Sequence, residues 1–137
     1  MARDLLHNEV RIALEKDGWI ITHDPLDLTV GGVELYADLG AERLIAAEKG
    51  LDKIAVEIKT FGGQSLVTEF HRATGQYDNY CISLDELEPE RIVYLAIPES
   101  VWNTFFQRPF IQKVIYVKAI KIIIFEPINQ IILQWIK

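Results

Sequence analysis

The sequence has 137 residues, half of them hydrophobic and a quarter charged. That size and balance fit one globular domain over 1–137 with a real core, and exclude a largely disordered chain. Fourteen Lys and Arg stand against 20 Asp and Glu, a net charge of −6, which counts against tight unaided binding to DNA phosphates.

From Asp4 to Asp17 the pattern is helical. Leu6, Val10, Ala13 and Leu14 recur at helical spacing, with Asp4 placed to cap the start and Gly18 to end it. Trp19 to Thr22 reads as a short strand. Three more strands are predicted, Val33–Leu39, Arg43–Ala47 and Lys53–Thr60, punctuated by Gly31-Gly32 and Gly50. In the last, Ile54, Val56 and Ile58 share one face, and Ala55, Glu57 and Lys59 the other. Gly62-Gly63 ends it. Ser65 can cap a second helix, Leu66 to Leu84, with an apolar stripe of Leu66, Phe70, Ala73, Tyr77, Cys81 and Leu84. Arg91 to Ile97 suits a buried strand closed by Pro98. A short helix holds Val101, Trp102, Phe105 and Phe106. The tail from Val114 onward is isoleucine-rich, with strands at Ile120–Phe125 and Ile131–Trp135 around Pro127-Ile128-Asn129. The order predicts an α/β domain with a mixed, partly antiparallel sheet.

Chemistry concentrates at a few positions. Glu57 and Lys59 lie two apart on a strand and share a face. If the strands form a meander, Asp38 approaches Glu57. Two carboxylates at a sheet edge can hold Mg²⁺ or Mn²⁺, and a nearby lysine can stabilise charge on a phosphate. Glu9 falls inside the apolar arc of the first helix, a costly place for a carboxylate unless a cation or donor meets it. On the second helix Gln76 borders the stripe, with Arg72 one turn before and Tyr80 one turn after. Gln76 can hydrogen-bond a substrate or a metal-bound water, and Arg72 can contact a phosphate.

Glu9, Asp38, Glu57-Ile58-Lys59 and Gln76-Tyr77-Asp78-Asn79-Tyr80, in that order, resemble the PD-(D/E)xK nuclease superfamily and the Q-x-x-x-Y helix of its RecB-like branch. Ala37 stands before Asp38 where that pattern often has proline. The whole chain also resembles the XisH excision-controlling factors of cyanobacteria. Ala2-Arg3-Asp4, Tyr36 to Glu42, Ala55 to Phe61 and Ala73 to Tyr77 carry this second likeness. The resemblance implies a restriction-endonuclease-like core flanked by helices, with a C-terminal β-hairpin extension. It implies a role in programmed excision of a DNA element, with a site-specific recombinase and a companion controlling factor, XisI. It places Mg²⁺ or Mn²⁺ on Asp38 and Glu57, with the Ile58 carbonyl as a third ligand. Lys59 then orients water and phosphate, Glu9 and Gln76 support the water shell, and Arg72 and Tyr80 face nucleic acid.

Two readings stay open at this level. The first is an active metal-dependent endodeoxyribonuclease. The second is a non-catalytic interaction protein that keeps the fold and docks on its companion or the recombinase. Glu57 and Lys59 also suit a solvated strand face answering charges on its neighbour. The apolar tail strands, with Lys113, Lys118, Lys121 and Lys137 near them, suit either self-packing or a homo- or hetero-oligomer interface. One cysteine, Cys81, excludes an internal disulfide. His7, His23 and His71 lack zinc-ligand spacing. No signal peptide and no membrane-length apolar run is visible, so a cytoplasmic location is the default expectation.

Overall fold

The computed structural model describes residues 6–34 and 44–137. Helix α1 (His7–Lys16) leads into strand β1 (Ile20–His23), and Gly18, at φ +94°, makes the turn between them. The helix buries Val10, Ala13 and Leu14, the positions its periodicity predicts. The expected cap Asp4 lies outside the described residues.

The described strands do not form a simple meander. Strands β2 (Thr29–Val30) and β3 (Val33–Glu34) form a separate two-stranded ribbon. Gly31 and Gly32 both have positive φ, as a two-residue hairpin turn demands, so this pair turns the chain back on itself. The neighbour of β4 (Leu44–Lys49) is therefore β1, not β3. Residues 35–43, and with them Asp38, lie outside the described part.

Strands β4 and β5 (Asp52–Ile58) pair antiparallel around Gly50, which has a φ of +61°. Helix α2 (Leu66–Leu87) then carries the chain to β6 (Arg91–Pro98), which runs parallel to β5. A parallel neighbour needs such a crossover, and the helix supplies it. Ser65 caps α2, its hydroxyl accepting from the Thr68 N–H at 3.2 Å. The helix runs one turn beyond the predicted stop, to Leu87.

The second crossover holds helix α3 (Glu99–Trp102), a 3₁₀ turn (Phe105–Gln107) and helix α4 (Pro109–Lys118). Sequence patterning predicts one short helix here and misses α4. Its segment is rich in β-branched residues, but Pro109 at the first turn starts the helix and Ala119, at φ +52°, stops it. Strands β7 (Ile122–Glu126) and β8 (Ile131–Ile136) form the expected C-terminal hairpin.

The main sheet has the order β1-β4-β5-β6-β7-β8, with two parallel joins, β5–β6 and β6–β7. This is the predicted mixed α/β architecture. Helices cover both faces. On one, α1 packs Val10 and Leu14 over Ile54, Val56 and Ile58. On the other, α2 and α4 pack Phe70, Tyr77 and Ile115 over Ala55, Val93 and Ile122. The edges differ. β1 has four residues and a register break, whereas β8 has six, with no charge or proline. Among the described residues no helix is long and apolar enough to cross a membrane.

Candidate metal centre

Strand β5 lies near the middle of the sheet, so both its faces are covered. Alternation puts Glu57 and Lys59 on the α2 side with Ala55. Glu57 is 0% exposed and Lys59 only 5%. The solvated-face reading is therefore wrong for this strand. The Lys59 ammonium lies 4.0 Å from the Glu57 carboxylate. A buried charge pair of this kind carries a large desolvation cost, so it is a poor device for stability alone. The strand exit is held by the Lys59 N–H donating to the Ala96 carbonyl at 3.0 Å. Beyond it Phe61, at φ +57°, packs edge-on to Phe106 at 5.2 Å.

Gln76 is half-buried on α2, the helix covering this face, and Arg72 is exposed one turn earlier. Tyr80 is 2% exposed and belongs to the core under α2. It lies there because the third and fourth residues after a core position return to the core face. Glu9 is half-buried on α1, which covers the opposite face. It makes no hydrogen bond or ion pair with any described residue. The structure thus brings Glu57 and Lys59 together and places Gln76 on the helix above them. Asp38 is outside the described residues. Cys81 packs half-buried against the α2-side core, and burial pushes its thiol pKa up, which suits a structural cysteine.

A polar cluster that sequence reasoning misses lies beside α1. His7, only 2% exposed, and Arg11, one turn on, both reach Asp24 Oδ2, at 2.8 and 2.7 Å. Burial opposes ionisation of Asp24, but the hydrogen bonds from His7 and Arg11 outweigh it and hold the carboxyl below its ordinary 3.8. The i, i+4 spacing of His7 and Arg11 is the one local signal; their acceptor, after β1, is not foreseeable from it. Asp24→Ala is expected to lower stability at neutral pH by about 1–3 kcal/mol, because it strands a buried imidazole. A depressed carboxyl stabilises the fold fully above pH 3.8 and loses that contribution as pH falls through its folded value. Urea unfolding should therefore show the gap between variant and natural chain narrowing in acid.

The family model described as "XisH protein" matches residues 1–133. No curated protein matches the chain. A crystal structure of an XisH family protein from Nostoc punctiforme is 46% identical, covers 98% of this chain and 100% of its own, and superposes with a TM-score of 0.89. That of an fdxN element excision controlling factor protein from Anabaena variabilis is 44% identical with the same coverage and a TM-score of 0.90. With a family model spanning nearly the whole chain and two such structures alike in both sequence and fold, the protein belongs to the XisH family.

Proposed function

We propose that this protein controls excision of a DNA element, and that it does so with a nuclease-type metal centre built around Glu57 and Lys59. The observation that carries this reading is the Glu57–Lys59 pair, buried together at the end of a central strand. A desolvated charge pair costs stability, so its retention at a strand end points to a chemical use. A related protein is described as an fdxN element excision controlling factor, which supports the DNA context.

In this reading Asp38 and Glu57, with the Ile58 carbonyl, hold Mg²⁺ or Mn²⁺. Among the described residues no three acidic, His or Cys groups gather into a cage. Two carboxylates and a main-chain carbonyl suit Mg²⁺, which keeps most of its waters and takes only one or two carboxylates from a protein. When bound, the ion supplies Lewis-acid polarisation of a phosphate and a water of lowered pKa. Lys59 places its positive charge against the phosphate undergoing hydrolysis. Gln76 orders the surrounding waters and Arg72 neutralises a flanking phosphate from the surface of α2, while Glu9, on the helix over the opposite face, stands apart from this set.

Calorimetric titration with Mn²⁺ tests the centre, comparing the natural chain with Asp38→Ala and Glu57→Gln. The expected result is one site whose affinity falls about tenfold or more in each variant while the fold is kept. Equal Mn²⁺ binding by all three would overturn it. Where binding behaves as expected, cleavage of plasmid, branched and single-stranded DNA with Mg²⁺ follows as the activity assay.

A second reading rests on a separate observation, the open edge of β8, where Ile131 and Leu133 are 39% and 44% exposed. In it the protein acts without cutting, by adding β8 to a strand of a companion controlling factor, of a recombinase or of a second copy. Leu133→Lys should then abolish association in light scattering and pull-down with the companion. Ile123, at 0% exposure, would unfold the chain if changed in the same way, so it cannot serve as the probe.

A further inference from the structure

At the opposite end of β5 from Glu57, on the α1 face, lies a cleft of about 460 Å³. Five residues of strand separate Asp52 from Glu57, roughly 17 Å. The cleft is therefore a distinct place, within the size range of small-ligand sites. Its walls are aromatic: Trp19, Tyr94 and Trp135, with Ile54 between them. Trp135 lies tilted against Trp19 at 5.6 Å and meets Tyr94 edge-on at 5.0 Å. Charged side chains of both signs form the rim.

Three features restrict what can fit. Tyr94 is 4% exposed and borders the cleft, yet its hydroxyl bonds to no described residue. That hydroxyl borders the open cleft, so a ligand there can take its hydrogen bond in place of water. Burial and the neighbouring Asp52 carboxylate raise the Tyr94 pKa, so the phenol stays protonated and donates. The rim then offers Asp52 as an acceptor beside that donor. The cations are not equally committed. Lys49 donates to the Asp17 carbonyl at 2.7 Å and Lys53 lies 3.8 Å from Glu90, whereas Lys137 has no partner among the described residues.

A purely apolar ligand would displace water from Tyr94 and Asp52 without replacing its hydrogen bonds. A bare anion would meet Asp52 and find no use for the aromatic walls. A flat ring carrying a carbonyl beside an N–H, joined to an anionic group, matches all of them. We propose that this cleft binds a nucleotide, its base stacked on Trp135 with its carbonyl accepting from Tyr94 and its N–H donating to Asp52, and its phosphate at Lys137. Base–aromatic stacking of this kind is a sequence-tolerant source of affinity. The source is either a free nucleotide or an unpaired nucleotide at a DNA end.

Titration with deoxythymidine monophosphate, followed by intrinsic tryptophan fluorescence and by calorimetry, tests the assignment. Two of the three tryptophans, Trp19 and Trp135, line the cleft. Saturable quenching is expected from the nucleotide, weaker binding from thymidine and none from inorganic phosphate. Tyr94→Phe should weaken binding about fivefold, the worth of one hydrogen bond. Asp52→Ala, on the exposed rim where folding is not at stake, should weaken it comparably. A 5′-phosphorylated single-stranded oligonucleotide that binds more tightly than the mononucleotide identifies a DNA end as the source; equal binding identifies the free nucleotide. No saturable quenching, or unchanged affinity in both variants, overturns the proposal. Because the assay contains no divalent metal, its outcome is independent of the Glu57–Lys59 centre.

Discussion

Phe106→Ala is expected to lower stability by about 3–5 kcal/mol, the range for deleting a fully buried aromatic ring. Phe106 is 0% exposed and sits within 6.2 Å, ring to ring, of Phe61, Phe70, Phe105 and Trp102. Three of these contacts are edge-to-face, a geometry that adds to area burial and that smaller side chains cannot reproduce. The effect should not stop at stability. Phe61 follows Lys59 by two residues and holds its left-handed backbone angle against this cluster. Loosening the cluster frees the exit of β5 and with it the position of Lys59. Chemical denaturation should show the midpoint fall with an unchanged slope, and Mn²⁺ titration should show the proposed centre weakened, because the Ile58 carbonyl on the same strand end shifts with it. A variant of natural stability would mean that the ring leaves no cavity behind.

The second large effect is expected at Arg91, which opens β6. Its side chain is 2% exposed. Nε and one terminal nitrogen donate to the Glu88 carboxylate at 3.3 and 3.1 Å, and the other donates to the Ile54 carbonyl at 3.0 Å. Glu48 on β4 stands 3.5 Å away. One guanidinium thus ties the end of α2 to three adjacent strands. Arg91→Met keeps the stem and removes the fork. Glu88 and Glu48 are each about a third exposed, so water recovers part of the loss, and the cost should be about 2–3 kcal/mol rather than the larger value of a sealed pair. Arg91→Lys should rescue little, because an ammonium cannot reproduce three directed bonds at once. Thermal unfolding of the two variants at matched pH checks both statements.

The amino-acid sequence reveals some elements and hides others, and the division is physical. The β5 alternation and the α2 stripe can be read because one face of each is decided by local period alone. The C-terminal hairpin is readable for a similar reason, a turn at Pro127 to Asn129 between apolar runs. Helix α4 is not, because Val114, Ile115 and Val117 carry strand propensity and only tertiary packing of Ile111 and Ile115 on the core makes the segment helical. The partner of β4 is not legible because strand adjacency is not a local property. The Gly31-Gly32 hairpin diverts β3 into its own ribbon and leaves the place to β1, more than twenty residues upstream of its partner. At the candidate centre, sequence spacing puts Glu57 and Lys59 on one face, but does not reveal their burial, since that depends on β6 and β4 flanking them. The charged residues beside α1 and the aromatic cleft are invisible in the sequence because their members are far apart in the chain and join only through packing.

Among the described residues nothing pairs with the outer side of β8, and on the second reading this decides what kind of partner it would accept. A strand edge presents a row of main-chain donors and acceptors, and these are chemically the same at every residue. An edge therefore recognises an extended backbone, not a sequence. Whatever discrimination it exercises must be written in the few side chains that flank it, here Ile131 and Leu133 on β8 and Ile128 in the preceding turn, all exposed. Such an address is broad in what it accepts and sharply sensitive to one change of charge. The opposite edge, β1, is short and interrupted, so it offers a poorer row of main-chain groups for pairing.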